Sequence, residues 1–306
     1  MLVERITSLM TSQQATADLA SDFSNLSQTE SELSSGKSIN QPSDNPYGAS
    51  VVLDLNSQMS ALSSYAGNIS DGTGWLNSAS TALTNIQSMV ARVRELVVEG
   101  SNGTNNTTAD QSAATEVNQL IAEIKQSANA QYNGSYIFSG DSTTTAPYLT
   151  GATDTYQGNS GTVTREIGPG SSMQINTNIS SILGDGSGSN DGLLLSTLRQ
   201  ISSDLNAGTP AAQTALGTTD LSALDGNLNT LEEAQSNVGA LTNRLSIASA
   251  SVQSTQSSDS TELANTQDAN MAQLATTYST QSAAYQAALQ SGAQIIQESL
   301  LTFLNP

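Results

Sequence analysis

The sequence contains no histidine and no cysteine. The first absence removes the commonest general base, the commonest transition-metal ligand and the usual physiological pH switch. A zinc site of the His-Glu-x-x-His type is therefore excluded. The second absence removes disulfides and thiol chemistry, and leaves the redox compartment open. Basic residues are also scarce: eight Lys and Arg stand against 27 Asp and Glu, for a net charge of −19. Nucleic-acid partners are argued against, because their affinity comes from cations neutralising phosphates. Anionic lipid surfaces are disfavoured for the same reason. The acidity reads as solubility and mutual repulsion before assembly.

Bulky apolar residues are few. There is one Trp and there are three Phe. Leu, Ile, Val and Phe together make about a fifth of the chain, near the level at which charged chains stay disordered. A large round core cannot be built from so little, whereas a coiled coil needs only a narrow seam. No stretch approaches the ~18 consecutive apolar residues of a membrane span, so membrane insertion is not expected. The segment Met1 to Thr7 lacks a basic stretch followed by an apolar one, so no cleavable secretory signal is read there. A cytoplasmic location follows unless export is signal-independent.

What is present is helical periodicity at both ends. Leu19, Phe23, Leu26, Glu30 and Leu33 step 4-3-4-3, with Ile6 and Leu9 ahead of them. Gly36 then predicts a helix stop. Asn45 followed by Pro46 predicts the next start, an N-cap and a first-turn proline. Val52, Leu55, Met59, Leu62, Ala66, Ile69, Thr73, Leu76, Ser80 and Leu83 step 3-4 without slipping, and Ile86, Val90, Val93 and Val97 carry the stripe on. Gly72 and Gly74 interrupt it, and an unbroken helix with close contacts at these glycines is favoured. Thr108 with Gln111 predicts a capping box and a helix from about Ala109 to Ala130. From Tyr132 to Asn178 short strands and turns take over, beginning at the Asn133-Gly134 turn signal. Gly184 to Gly192 reads as a flexible linker.

Helix returns at Leu193–Leu205. Leu221, Leu224, Leu228, Leu231, Gln235, Val238, Thr242, Leu245, Ser249 and Val252 then form a second clean seam. Met271, Leu274, Tyr278, Gln281, Tyr285, Leu289, Ile296, Leu300 and Phe303 form a thin last one. The expected fold is mainly α: a long antiparallel coiled-coil helical rod with a small β-rich insert domain at one end. Residues 1–42 and 268–306 form a terminal-helix domain, 43–131 and 193–267 the rod, and 132–192 the insert. The terminal faces are too thin to hold isolated helices in water, so they are expected to order when copies share their burial.

Several of these segments resemble the bacterial flagellin superfamily. Leu33-Ser-Ser-Gly-Lys-Ser-Ile-Asn40 with Pro42-Ser43-Asp44 is similar to its N-terminal signature. Asn68 to Leu76, Arg92 to Thr104, Val238 to Leu245 and Tyr285 to Leu304 continue the likeness in order. The segments Asn40 to Pro46, Ala128 to Tyr148 and Ser299 to Leu304 resemble the hook–filament junction branch of that family more than flagellin itself. This resemblance implies a flagellin-like fold and a secreted subunit exported unfolded through the flagellar type III apparatus. It implies a ring of copies at the hook–filament junction, between hook-associated protein 1 and the flagellin filament. Implied partners are hook-associated protein 1, flagellin, the chain itself and a flagellar export chaperone. No enzymatic activity, cofactor or metal is expected.

The candidate assembly residues are Ile6, Leu9, Leu19, Phe23, Leu26, Leu33, Met271, Leu274, Tyr278, Tyr285, Leu289, Ile296, Leu300 and Phe303. Arg92, Arg94 and Arg244, with Glu95 and Glu116 as candidate partners, are either ion pairs within the rod or contacts between subunits. Other readings are a filament subunit, or an adhesin using Tyr136, Tyr148 and Tyr156 of the insert, although those tyrosines fit better as its core. A hydrolase using carboxylates alone would need paired acids in a pocket.

Overall fold

The computed structural model describes residues 8–102, 107–149, 151, 154–186 and 191–304, with the side chains of 8, 9 and 295–304 excepted. The helices are α1 (Ser8–Ser35), α2 (Pro46–Ser101), α3 (Thr107–Ala128), α4 (Ser180–Leu183), α5 (Leu194–Ala207), α6 (Pro210–Ala215), α7 (Leu221–Gln267) and α8 (Met271–Leu304). A π-helical turn, Leu216–Asp220, joins α6 to α7. Two antiparallel two-stranded sheets pair β1 (Gln131–Tyr132) with β2 (Ser135–Tyr136), and β3 (Thr164–Gly168) with β4 (Ser171–Gln174). The fold is mainly α, as the periodicity predicts.

Local chemistry sets most boundaries. Gly36 ends α1 at φ +72°, a conformation that costs glycine nothing. Asn45 caps α2 by accepting a hydrogen bond from the Gly48 amide at 3.0 Å, with Pro46 in the first turn. The β1–β2 turn has positive φ at both Asn133 and Gly134, the pattern of a two-residue hairpin. α3 starts at Thr107, slightly before the expected capping box. Thr108 lies inside the helix, and its carbonyl accepts from the Ser112 hydroxyl.

The chain divides into two compact units, one of residues 1–61 and 255–306, the other of residues 62–254. The second unit holds the main core. Leu62, Ile69, Leu76, Leu83, Val90 and Val97 of α2 are buried at seven-residue intervals. Leu224, Leu231, Val238, Leu245 and Val252 of α7 are buried at the same interval. Within this unit α2 and α7 run antiparallel. Arg94 reaches Asp225, the Gln235 amide donates to the Ser80 hydroxyl at 2.7 Å, and Gly72 faces Leu245. Val117, Ile121 and Ile124 of α3, with Leu195, Leu198 and Ile201 of α5, widen the seam into a bundle.

The segment between α3 and α5 contains less strand than its composition predicts, and it lies against the middle of α2. Arg165 of β3 pairs with Asp71, and Asn68 donates to the Glu166 carbonyl. Gly72 and Gly74 lie inside an unbroken α2, where a Cβ would meet Ile175 and Leu245, and Tyr132, respectively. Gly74→Ala is therefore expected to lower the melting midpoint. The gain of up to ~1 kcal/mol in helix propensity is outweighed by about 1–3 kcal/mol of overpacking against the Tyr132 ring. A thermal melt of the purified chain checks this, and an unchanged midpoint would show that the ring yields freely.

The expected linker is tethered where it is described. The Tyr148 hydroxyl donates to the Gly184 carbonyl, and Asp191 accepts from Asp185, Leu193 and Ser196.

Candidate assembly site

The first unit contrasts sharply with the second. Among its described side chains, the buried apolar ones are Ile39, Ala49 and Val52, all in or beside the turn that starts α2. No described apolar side chain of α1 or of α8 is buried. The two helices nevertheless pair antiparallel. Thr29 hydrogen-bonds Gln281 at 2.8 Å, Phe23 lies 5.9 Å from Tyr285 between ring centroids, and Gly292 faces Leu19. Their turn is tied by backbone hydrogen bonds from Ser38 to Gln267 and from Ala269 to Gly36.

The paired faces differ in detail from the predicted seams. On α1 the half-covered Ser12, Ala15, Leu19, Asp22, Leu26 and Leu33, with the buried Thr29, form a 3-4 series, and Glu32 is half-covered beside it. Phe23 is 58% exposed, and Glu30 points to solvent. The predicted series had moved one residue off the true face at both places, because it followed Phe23 as the larger apolar residue. On α8 the half-buried positions are Leu274, Tyr278, Gln281 and Tyr285, followed by Ala288 and the buried Gly292. Met271 and Leu289 are exposed, at 47% and 45%. Leu9, Ile296, Leu300 and Phe303 belong to helices whose side chains there lie outside the described residues, and Ile6 lies outside them altogether.

Arg92 and Arg94 are satisfied within the chain. Arg92 donates to Glu116 at 2.7 Å and to Glu95 at 2.8 Å, and these carboxylates hold its guanidinium even more firmly protonated. Arg94 pairs with Asp225 at 2.7 Å, a partner 131 residues away that no local spacing could indicate. Arg244 is different. It is exposed, makes no ion pair among the described residues, and borders an open groove of about 300 Å³ with Ser172, Gln174, Asn176, Asn237 and Leu241.

The insert's tyrosines serve its interior. Tyr148 is fully buried, its main chain clamped from both sides by the Asn129 amide. The Tyr156 hydroxyl donates to the Phe138 carbonyl at 2.7 Å, while Tyr136 is half-buried in β2. Burial raises the Tyr148 and Tyr156 hydroxyls above the usual phenol range.

Sequence reasoning missed one buried charge centre. Asp154, 6% exposed, accepts from Lys125 at 3.1 Å and from Arg199 at 2.7 and 3.0 Å. Burial pushes its carboxyl up, but Arg199 and Lys125 outweigh burial and leave it below the usual range. The only available signal was that these cations are two of eight.

Long, weakly apolar helices at the two ends thus pair antiparallel in one unit, and the other unit is a helical bundle that carries the insert. Residues 6–143 match the family model of the bacterial flagellin N-terminal helical region. The flagellar filament 41 kDa core protein of Borreliella burgdorferi is 34% identical over 119 residues, 39% of this chain and 35% of that protein. A flagellin of Clostridium tyrobutyricum is 33% identical over 117 residues, 38% and 31% respectively. The chain thus spans about a third of the length of these curated relatives.

Solved structures share the fold more fully. One described as a flagellar hook-associated protein of Vibrio parahaemolyticus aligns at TM-score 0.64 and 24% identity, covering 74% of this chain and all of that one. FlgL of Bacillus cereus aligns at 0.56 and 22%, covering 70% and 99%. Hook-associated protein 3 of Legionella pneumophila aligns at 0.59 and 14%, covering 69% and 97%.

Proposed function

We propose that this chain is an exported structural subunit of the bacterial flagellum. It forms a ring between hook-associated protein 1 and the flagellin filament, at the hook–filament junction. The exposure of α1 and α8 carries this reading. Among the described side chains of these helices no apolar one is buried, so they need other copies to cover them. The shared fold with hook-associated structures supports a junction role over a filament role. The flagellin relatives of the N-terminal region keep the filament subunit as the second reading.

In this proposal residues 1–42 and 268–306 are the inner assembly element, 43–131 with 193–267 the helical rod, and 132–192 the insert. Leu19, Phe23, Leu26, Leu33, Leu274, Tyr278 and Tyr285 pack against neighbouring copies, together with the exposed Met271 and Leu289. Arg244 meets an acidic group of an adjacent subunit, whereas Arg92 and Arg94 stay within their own. A flagellar export chaperone covers the terminal helices before assembly.

Clean deletion of the gene in its motile host tests the reading, with electron microscopy of the cells and assay of the spent medium. Hooks without filaments, with flagellin shed into the medium, are the expected result. Normal filaments would remove the junction role. Loss of filaments without shed flagellin would make the chain the filament subunit instead.

A further inference from the structure

The corner where α5 meets the π turn gathers carboxyls without a cation among them. Asp220 closes the turn, is 5% exposed, and leaves its Oδ2 buried with no hydrogen-bond partner. Asp204 of α5 is the carboxyl beside it, to which a proton on Asp220 would be donated. Asp110 of α3 is 2% exposed, and its Oδ1 also lacks a partner. It stands close to Gly100, where α2 ends and where Leu205 and Leu216 also meet.

The remaining charges near this corner are engaged or exposed. Arg199 borders the same cleft as Asp220, yet its guanidinium is committed to Asp154. Glu99 of α2 is exposed, and Asp225 of α7 belongs to Arg94. The Asp220 Oδ2 is itself buried and has no donor, so a proton is the cheapest way to satisfy it. Two carboxyls in hydrogen-bond contact hold one proton between them, the protonated one donating to the other. The π turn supplies a local weak point, since its hydrogen-bond pattern departs from the α-helical one on either side.

We infer that Asp204 and Asp220 form a proton-holding latch that fastens the π turn to α5 in acid and loosens as pH rises. Burial, then the neighbouring Asp204, push the Asp220 carboxyl up to about 6. A carboxyl raised above its unfolded value near 3.8 binds its proton preferentially in the folded chain. Its stabilising contribution is complete below about pH 4 and disappears as pH passes through about 6. Deprotonation places two anions side by side in a dry corner.

The test is hydrogen exchange of the full chain at pH 4.5 and 7.5, corrected for intrinsic rates, with Asp220→Asn alongside. The Asn side chain keeps a donor for Asp204 but carries no titratable proton. In the wild type, protection of residues 208–220 relative to the rest of their unit is expected to fall by up to ~100-fold between the two pH values, with a midpoint near 6. The Asn variant should match the wild type at pH 4.5 and keep its protection at pH 7.5. Asp204→Asn, which leaves Asp220 a neutral neighbour, should flatten the profile as well. A wild-type midpoint near 4, or an unchanged profile in both variants, would overturn the latch. Should either variant be unstable, direct titration of the Asp220 carboxyl by NMR in the wild-type chain decides the matter, a midpoint near 4 again counting against it.

Discussion

Replacing Leu26 by Asp is expected to abolish incorporation into the flagellum while leaving the 62–254 unit as stable as before. Leu26 sits midway along the face of α1 that meets α8 and is only half-covered there. The lone chain therefore loses little when a charge replaces it, as at most surface positions, where changes stay within about 0.5 kcal/mol. An assembly that buries the same position in every copy carries an unpaired carboxylate in each one, at a cost of several kcal/mol per copy. Trp75 gives a clean control. It is the chain's single tryptophan, lies in the larger unit and is 3% exposed, so its fluorescence reports that unit alone. The expected outcome is an unchanged Trp75 melt with no filaments on the cells. Normal motility in the variant would sink the idea that this face is buried between copies.

Asp154→Ala is expected to be the most destabilising single change in the larger unit, by about 3–5 kcal/mol. Its carboxylate receives Lys125 from α3 and Arg199 from α5, so its removal takes the counter-charge from both, leaving Lys125, with a side chain only 4% exposed, on the neutral Gly151 carbonyl and Arg199 on Asn118. Lys125→Met should cost less, because Asp154 keeps the two-pronged Arg199 contact. The double change should cost less than the sum, since Asp154→Ala no longer leaves a buried ammonium. Chemical denaturation of the three variants checks the order, and equal losses for Asp154→Ala and Lys125→Met would refute it.

The pH sign of this site is opposite to that of the Asp204–Asp220 corner. A carboxyl held below its unfolded value stabilises fully above about pH 4, and that contribution is lost as pH falls through its lower folded value. Wild-type stability between about pH 4 and 6 should therefore follow Asp220, and only stronger acid should engage Asp154.

The helices were legible because a mainly apolar series at every third or fourth position has one physical meaning when sustained over ten positions. Every predicted seam position from Leu221 to Val252 is buried or half-buried, and so is every one from Val52 to Leu83. The terminal seams were less legible for the same reason. With so few apolar residues, Phe23 drew the predicted face one residue aside, whereas packing chose Asp22 and Thr29. Thr29 fits because its hydroxyl finds both Gln281 and the Asn25 carbonyl, and such polar pairing leaves no apolar mark in a sequence.

The sequence by itself determined the helical class, the chain's punctuation at Gly36, Asn45 and Asn133-Gly134, and the thin faces of α1 and α8. These are local properties, set by backbone conformation, capping and periodicity within a few residues. Only the tertiary structure decided that Arg94 belongs to Asp225, that Lys125 and Arg199 converge on Asp154, and that Asp204 meets Asp220 at the π turn. The three ion pairs join positions 131, 29 and 45 residues apart, through long side chains whose sequence neighbours do not reveal where the backbone brings them. Charge is felt through space, and in a chain this acidic almost any cation has many sequence-compatible partners but only one or two within reach.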